Sequence, residues 1–184
     1  RSIRSGLKKG KAEGITFHED TANAASVIDE YYAVMEETAQ RDGFRPHPKA
    51  VYMDLLRTLG PKHARIFSMR DADDAILCWD FCLVEGIRAQ AEYGASTEAG
   101  RRLRQPPVLD FLAAEYLARD GVREFDLMGA HSPRCPDLFS VGKYKIAFAS
   151  HFTDVPGGWD MPIKKNTYRA LRAAKAIKDW RARS

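Results

Sequence analysis

Apolar residues spaced three and four positions apart predict two consecutive helices in the first third of the chain. The first is predicted over Ala24–Asp42, and Gly43 ends it. Its apolar stripe consists of Ile28, Tyr32, Met35 and Ala39. Pro46 and Pro48 exclude helix from the segment that follows, so the second helix is predicted over residues 49–59.

Short apolar or alternating segments, without helical spacing, predict strands. The predicted strands are Ile15–His18, His63–Met69, Ala75–Glu85 and Ile87–Tyr93, with a turn at Asp71–Asp74. Ala75–Glu85 is apolar on both faces, which is typical of a central strand covered on both sides. Further elements follow along the chain: a loop at Gly94–Pro107, a helix at Val108–Asp120, a strand at Glu124–Met128, a loop at Gly129–Gly142 and a last helix capped by Asn166.

This order of elements is similar to that of the GCN5-related N-acetyltransferase (GNAT) fold. It predicts an α/β (α+β) class, with a mixed, mostly antiparallel central sheet flanked by helices. We expect residues 1–184 to form a single GNAT-like domain that ends in a basic helix at about 166–183. In such a fold the central strand splays from its neighbour and a substrate enters the gap. The fold by itself assigns no function.

Charge and cysteine content bear on the binding partners and the cellular compartment that we expect for this protein. The net charge is +4, with basic residues crowded at both ends of the chain, which permits an anionic partner without requiring one. Cys78, Cys82 and Cys135 form no disulfide framework, which indicates reduced thiols and a cytoplasmic protein. No apolar run is long enough to span a membrane, so stable membrane insertion is not expected. The chain begins at Arg1 in what reads as mid-helix, as a fragment or trimmed product would.

The segment after the predicted strand Ile87–Tyr93 is where a coenzyme A site would lie in this fold. A CoA-dependent acetyltransferase needs a glycine-rich loop whose backbone N–H groups hold a pyrophosphate at a helix N-terminus. Residues 94–107 contain no such glycine pattern, and Pro106 and Pro107 remove two N–H donors where donors are wanted. His131 and Cys135 lack a second pair of ligands, so no metal site is predicted.

Four short motifs resemble those of the Fem family, the tRNA-dependent aminoacyltransferases that build peptidoglycan cross-bridges. The matching segments are Arg41–Phe44, Tyr93–Ser96, Phe125–Gly129 and Gly142–Phe148. Their order and spacing match over most of the chain. Two departures stand out: Ala91 replaces a family tyrosine, and the chain covers only about the second of the two GNAT-like halves usual in the family.

The resemblance implies transfer of a small amino acid from aminoacyl-tRNA to an amine of a peptide, forming a peptide bond. The acceptor would be a peptidoglycan precursor, including a nucleotide-peptide, or a natural-product peptide as in antibiotic biosynthesis. No cofactor is expected besides the aminoacyl-tRNA co-substrate. The missing N-terminal GNAT-like half is a further expected partner, and the basic C-terminal helix could follow the acceptor stem of the tRNA.

The resemblance also implies the site residues. Lys145 is the predicted cation that stabilises the negative oxygen of the transition state, and Tyr144 could stack on the terminal adenine. The predicted substrate-binding residues are Arg41, Arg45, Tyr52, Tyr93 and Asp126. Each also has a structural interpretation: a solvated lysine, surface arginines, core tyrosines and a hydrogen-bonded carboxylate. A CoA-dependent N-acyltransferase and a non-catalytic RNA-binding module of the same fold are the alternative functions.

Overall fold

A computed structural model describes residues 2–130, 145, 148–149, 153 and 159–183. The chain divides into two compact units, Arg1–Ser150 and His151–Ser184. The first unit contains the sheet and the candidate site, and the second contains the C-terminal helix. Each unit is described by itself.

The first unit is built on a five-stranded sheet whose strands follow chain order. They are β1 (Thr16–Glu19), β2 (Ala64–Arg70), β3 (Ile76–Glu85), β4 (Arg88–Ser96) and β5 (Glu124–Asp126). Neighbours from β1 to β4 are antiparallel, whereas β4 and β5 are parallel. The sheet is therefore mixed and mostly antiparallel, as its sequence predicted.

Within the described residues of this unit, five α-helices accompany the sheet: α1 (Ser2–Ala12), α2 (Ala24–Asp42), α3 (Lys49–His63), α4 (Glu98–Arg102) and α5 (Pro106–Arg119). Helices α2 and α3 cover one face of the sheet, and α5 covers the other. Strand β3 contributes side chains to the cores on both faces of the sheet, because successive side chains point to opposite faces. Trp79 and Phe81 belong to the α2/α3 core, while Cys78 and Cys82 belong to the α5 core. The prediction of a central strand with two apolar faces is confirmed.

A buried polar network ties the end of β1 to α2 and β2. The Asp20 carboxylate accepts hydrogen bonds from the Tyr31 hydroxyl, from Ser68 Oγ at 2.6 Å and from Arg70 at 3.2 Å. The Arg70 side chain is almost fully buried, and Asp20 is its nearest carboxylate. Burial alone would raise the pKa of Asp20, but the hydrogen bonds from Ser68 and Tyr31 and the charge of Arg70 outweigh it and lower that pKa.

The structure corrects two predicted boundaries. Residues 94–107 are not one loop, because β4 continues to Ser96 and α4 follows, with Thr97 capping α4 by accepting the Gly100 N–H. Strand β5 ends at Asp126, because Met128 has a φ of 64° that a strand cannot accommodate. The helix predicted over residues 49–59 does end where predicted, because Gly60 has non-helical dihedral angles (φ 70°, ψ 173°), and the remainder of α3 to His63 lies beyond this kink.

The second unit contains a helix, α6 (Lys165–Arg183). Its described side chains are largely exposed, including Leu171, Ile177 and Trp180. Asn166 is the second residue of the helix and not its cap, so the predicted cap position is wrong by two residues. None of the helices in the described part of the chain has the length and apolar character needed to cross a membrane.

Candidate functional site

The candidate site lies where β4 and β5 separate. The two strands pair only from Arg88 to Gln90, opposite Glu124 to Asp126. An irregularity in the β3–β4 register between Phe81 and Cys82 bends β4 at this level. Past this point β4 continues to Ser96 without pairing to a described residue of β5. The separation of β4 beyond Gln90 from the described residues that follow β5 is called the β4–β5 gap.

Lys145 reaches the residues that follow β5. Its Nζ donates a hydrogen bond to the Gly129 carbonyl oxygen at 3.0 Å. The side chain is half-buried, and burial lowers the pKa of Lys145, while Asp110, Asp126 and Asp80 oppose that lowering. Lys145 is therefore a cation that strand-end backbone holds and that Asp110, Asp126 and Asp80 influence electrostatically. This environment differs from that of a solvated surface lysine.

Asp126 marks the end of β5 beside Lys145. Its side chain is exposed, and Oδ1 accepts the Met128 N–H at 2.7 Å. This bond supports the left-handed turn that carries the chain from β5 to Gly129. The carboxylate thus helps to position the carbonyl group that Lys145 binds.

Two further acids, which sequence reasoning missed, lie on the α5 side of the same gap. Asp80 comes from β3 and Asp110 from α5, and the two acids interact electrostatically. Asp110 is only 3% exposed, and Asp80 Oδ2 is buried without a hydrogen-bond partner. Burial first, and then Asp110, raises the pKa of Asp80 well above its ordinary value. Asp80 was detectable as a charged residue inside an apolar strand, but its interaction with Asp110 was not.

Gly94, the glycine of the Tyr93–Ser96 motif, provides space for Asp80. The two residues are paired across β3 and β4. A Cβ atom at position 94 would lie 2.8 Å from Asp80 Oδ1, and the next nearest atom would be the Trp79 carbonyl oxygen at 3.7 Å. The motif glycine is therefore required by one neighbour, the Asp80 carboxyl group.

We expect Gly94→Ala to lower the free energy of unfolding by about 1–2 kcal/mol, because the methyl group forces the Asp80 carboxyl out of its rotamer. In an Asp80→Ala background the methyl group has room, so the same change should cost almost nothing. Urea denaturation of the four proteins measures this coupling as a double-mutant cycle. Equal losses in both backgrounds would contradict the contact between Gly94 and Asp80.

The predicted binding tyrosines lie on the opposite, α2/α3 face of the sheet. Tyr93 projects from β4 and stacks edge-on against Tyr52, with ring centroids 5.0 Å apart. His47, from the loop between α2 and α3, contacts Tyr93 at 5.8 Å. Tyr52 is 3% exposed and packs against Trp79, so it is a core residue that supports Tyr93. Burial, and then Tyr93, raises the pKa of Tyr52.

Arg41 and Arg45, the two arginines predicted to bind substrate, differ in whether their side chains are already hydrogen-bonded within the protein. Arg41 donates to the Ser96 carbonyl oxygen at 2.7 Å and to Asp42 at 2.9 Å, so it holds α2 against the end of β4. Arg45 is exposed in the α2–α3 loop, close in sequence to His47. Arg45 is therefore more available for an incoming anion than Arg41. Tyr144, the predicted stacking residue, lies outside the described residues.

The N-terminus of α5 is covered by helix α1. Gly6 approaches so closely that a Cβ atom there would lie 2.6 Å from the Arg104 carbonyl oxygen. The fully buried Gln105 side chain donates to the Gly6 carbonyl oxygen at 3.2 Å, and α5 then begins with Pro106 and Pro107. This helix end therefore offers neither free N–H donors nor open space to a pyrophosphate.

The N-terminus of α4, the other helix end in this region, is also occupied. The Glu98 N–H donates to Glu37 at 2.8 Å, and the Gly100 N–H donates to Thr97 at 3.0 Å. The carboxylates of Glu37 and Glu98 would repel an anion at this position.

A comparison with known protein families assigns the chain. Residues 1–145 match the family described as the acetyltransferase (GNAT) domain. The chain belongs to this family. The GNAT fold predicted from the order of elements is confirmed. The sequence matches no curated protein.

Solved structures share the GNAT fold at low identity. FemX has a TM-score of 0.66 and 13% identity, over 79% of this chain and 52% of FemX. The aminoglycoside 6'-N-acetyltransferase AAC(6')-Ih from Acinetobacter baumannii has a TM-score of 0.58 and 12% identity, over 81% of this chain and 99% of that chain. At these identities the likeness shows the fold alone.

A third structure is the C-terminal DUF2156 domain of a protein described as a lysylphosphatidylglycerol synthetase, from Agrobacterium fabrum. It has a TM-score of 0.56 and 16% identity, over 78% of this chain and 45% of that chain. The chain thus spans about half the length of FemX and of the DUF2156 structure. GNAT membership supports acyl transfer and does not distinguish the acyl donor.

Proposed function

We propose that this GNAT protein transfers an aminoacyl group from aminoacyl-tRNA to an amine of a peptide or nucleotide-peptide acceptor. The observation that carries the proposal is the half-buried Lys145 ammonium, fixed by the Gly129 carbonyl oxygen beside the β4–β5 gap. The resemblance to the Fem family points to the same residue. FemX is also among the proteins with this fold, over half its length.

The proposed reaction is aminolysis of an ester. The acceptor nitrogen attacks the ester carbonyl carbon, the new C–N bond forms, and the bond from that carbon to the ribose oxygen breaks. A proton lost by the amine balances the one gained by the ribose oxygen. Negative charge develops first on the carbonyl oxygen and then on the ribose oxygen. A fixed ammonium such as Lys145 stabilises both charges, and the activated ester needs positioning more than a strong base.

The two faces of the sheet suggest separate approaches to the gap. Lys145, with Asp126, lies on the side of the residues that follow β5, where the ester would be bound. Tyr93, His47 and Arg45 border the α2/α3 side, where an aromatic wall and an exposed cation suit a peptide carboxylate or phosphate. We propose that the acceptor approaches from this second side.

The occupied helix ends favour aminoacyl-tRNA over acyl-CoA as the donor. Helix α1 covers the start of α5, Pro106 and Pro107 lack N–H donors, and the start of α4 faces Glu37. A CoA pyrophosphate would lack backbone donors at both positions. The 3′ end of a tRNA does not require such a cradle, because basic residues such as those of α6 could bind its backbone phosphates.

The deciding experiment measures transfer of radiolabelled alanine, glycine or serine from charged tRNA to a peptide amine, with and without RNase. We expect RNase-sensitive peptide-bond formation that weakens steeply with rising salt, by about tenfold or more between 50 and 200 mM, because phosphate contacts release counterions. An acetyl-CoA reaction with the same acceptors runs in parallel. Acetyl-CoA turnover without aminoacyl transfer would favour the acyl-CoA alternative, and tRNA binding without either reaction would favour an RNA-binding module.

A further inference from the structure

The proposed reaction makes no use of the apolar residues in the second unit. Three of them lie in residues 159–163, just before α6, where Trp159 is 92% exposed, Met161 87% and Ile163 90%. Large apolar side chains are often exposed singly, but a group of them marks a surface that binds a partner. The group lies outside residues 1–145, which match the GNAT family, so the family fold does not account for it.

Hydrogen bonds join this segment to the start of α6. The Tyr168 hydroxyl donates to the Asp160 carboxylate, and Arg172 Nη1 donates to the Tyr168 hydroxyl oxygen at 3.3 Å. The Arg172 guanidinium also lies over the Tyr168 ring, 5.9 Å from its centroid. These contacts hold Asp160, and with it the neighbouring Trp159 and Met161, to the first two turns of α6.

Helix α6 carries an apolar stripe of its own. The stripe follows the spacing i, i+3, i+4 and i+7, which places side chains on one side of a helix, and consists of Ala170, Ala173, Ala174 and Ile177. Ile177 is 54% exposed, and Leu171, which borders the stripe, is 66% exposed. In the described part of α6 every side chain except that of Tyr168 is exposed, so the stripe faces solvent.

The same region is strongly basic. Residues 159–183 contain eight lysines and arginines and only two aspartates. Lys165, Arg172 and Lys175 lie on the side of α6 opposite to the apolar stripe. Lys178 and Arg181 flank the stripe near the end of the helix, where their long aliphatic stems allow the charges to lie beside an apolar surface.

Exposed apolar side chains within a basic helical segment are complementary to the surface of an anionic bilayer. Apolar side chains enter the boundary between headgroups and acyl chains, while lysine and arginine contact the lipid phosphates. A nucleic acid would use only the basic residues, because phosphate contacts leave exposed methionine and isoleucine side chains in water. Two copies of α6 would repel each other, since both carry the same charge.

We propose that residues 159–183 bind the surface of an anionic phospholipid bilayer, with α6 lying along that surface. The 19 residues of the helix would cover about 28 Å of it. This proposal goes beyond aminoacyl transfer and does not depend on it. The basic residues of α6 cannot contact lipid phosphates and tRNA phosphates at once, so tRNA is the competing occupant.

The test measures co-sedimentation of the 184-residue chain with vesicles of pure phosphatidylcholine, or of equimolar phosphatidylcholine and phosphatidylglycerol. We expect binding to the anionic vesicles only. The double variant Trp159→Gln/Ile177→Gln keeps every charge and removes two apolar contacts, so its partition coefficient should fall by about tenfold or more. Ile87→Gln, at an exposed apolar residue between β3 and β4, is the matched control and should bind like the unmodified protein.

A second measurement uses the unmodified protein and reports whether Trp159 enters the bilayer. Phosphatidylcholine with brominated acyl chains, mixed with phosphatidylglycerol, should quench the fluorescence of Trp159, whereas Trp79 is 2% exposed in the core of the first unit and should stay unquenched. Trp159→Phe keeps an apolar side chain, so this variant should still bind the vesicles but show less quenching. Equal quenching of Trp159→Phe and the unmodified protein would contradict entry of Trp159.

Absence of binding to the anionic vesicles, or equal binding to both kinds of vesicle, would overturn the proposal. A double variant that binds as tightly as the unmodified protein would also overturn it, because the contact would then be purely electrostatic. Loss of charged-tRNA binding in the double variant, with no vesicle binding by the unmodified protein, would assign the surface to RNA instead. Vesicle binding needs no catalysis, so its presence or absence is independent of whether aminoacyl transfer is observed.

Discussion

Replacement of Lys145 by alanine is expected to reduce aminoacyl transfer by about 10²–10³-fold, the usual effect of removing one preorganised donor to a developing oxyanion. Among the described residues, the Lys145 side chain donates one hydrogen bond, to the Gly129 carbonyl oxygen, and it is only half-buried. We therefore expect the free energy of unfolding to change little. The measurement is the rate of amino acid transfer at saturating charged tRNA, with circular dichroism to verify folding.

Lys62→Ala is the matched control, because Lys62 is an exposed lysine near the C-terminal end of α3. This variant should transfer at the unmodified rate. Lys145→Arg should retain part of the activity, since it keeps the charge but not the compact shape of an ammonium. Full activity of Lys145→Ala would remove Lys145 from the mechanism and favour a binding role for the fold.

The second large effect is expected at the buried Asp20 network. Asp20→Asn should lower the free energy of unfolding by about 3 kcal/mol, because it leaves the buried Arg70 charge without its closest carboxylate. Glu30 and Asp74 lie farther from Arg70, at 3.8 and 3.6 Å, and are exposed, so they compensate only in part. Urea denaturation at neutral pH measures the loss.

This loss should depend on pH in a definite direction. The pKa of Asp20 in the folded protein lies below its ordinary value of 3.8. Its contribution is therefore fully present above pH 3.8 and is lost as the pH falls through the folded pKa. The stability difference between Asp20→Asn and the unmodified protein should shrink only in that acidic window. Asp29→Asn, at an exposed carboxylate that pairs with Lys49, should cost less than about 1 kcal/mol and serves as the control.

Local sequence patterns predicted most elements of the sheet and its helices. Helix α2 was predictable because its apolar stripe repeats at helical spacing and Gly43 adopts the left-handed conformation that ends it. Strand β3 was predictable as central because both of its faces are apolar. The loop predicted over residues 94–107 was wrong, since α4 depends on a long-range fit: a Cβ atom on Gly100 would lie 2.4 Å from the Leu77 carbonyl oxygen. The composition of the segment alone does not predict such a long-range contact.

The candidate site was predictable in part. Motif resemblance drew attention to Lys145, Asp126 and Tyr93 before any contact was known. It also grouped Tyr52 with the binding residues, whereas the structure places Tyr52 in the core, where it supports Tyr93. Arg41 was grouped with Arg45, yet its donors are used by Ser96 and Asp42. A motif conveys residue type and spacing but not which hydrogen bonds are already made.

The sequence by itself determined the GNAT order of elements, because helical and strand periodicities are local properties of the chain. It also determined the presence of a lysine motif after the last predicted strand. Only the tertiary structure decided that Asp80 and Asp110, thirty positions apart in the chain, interact with each other. It also decided that Tyr93 lies on the other face. These relations follow from strand register and from the packing of α5, where a shift of one residue exchanges the two faces of a strand.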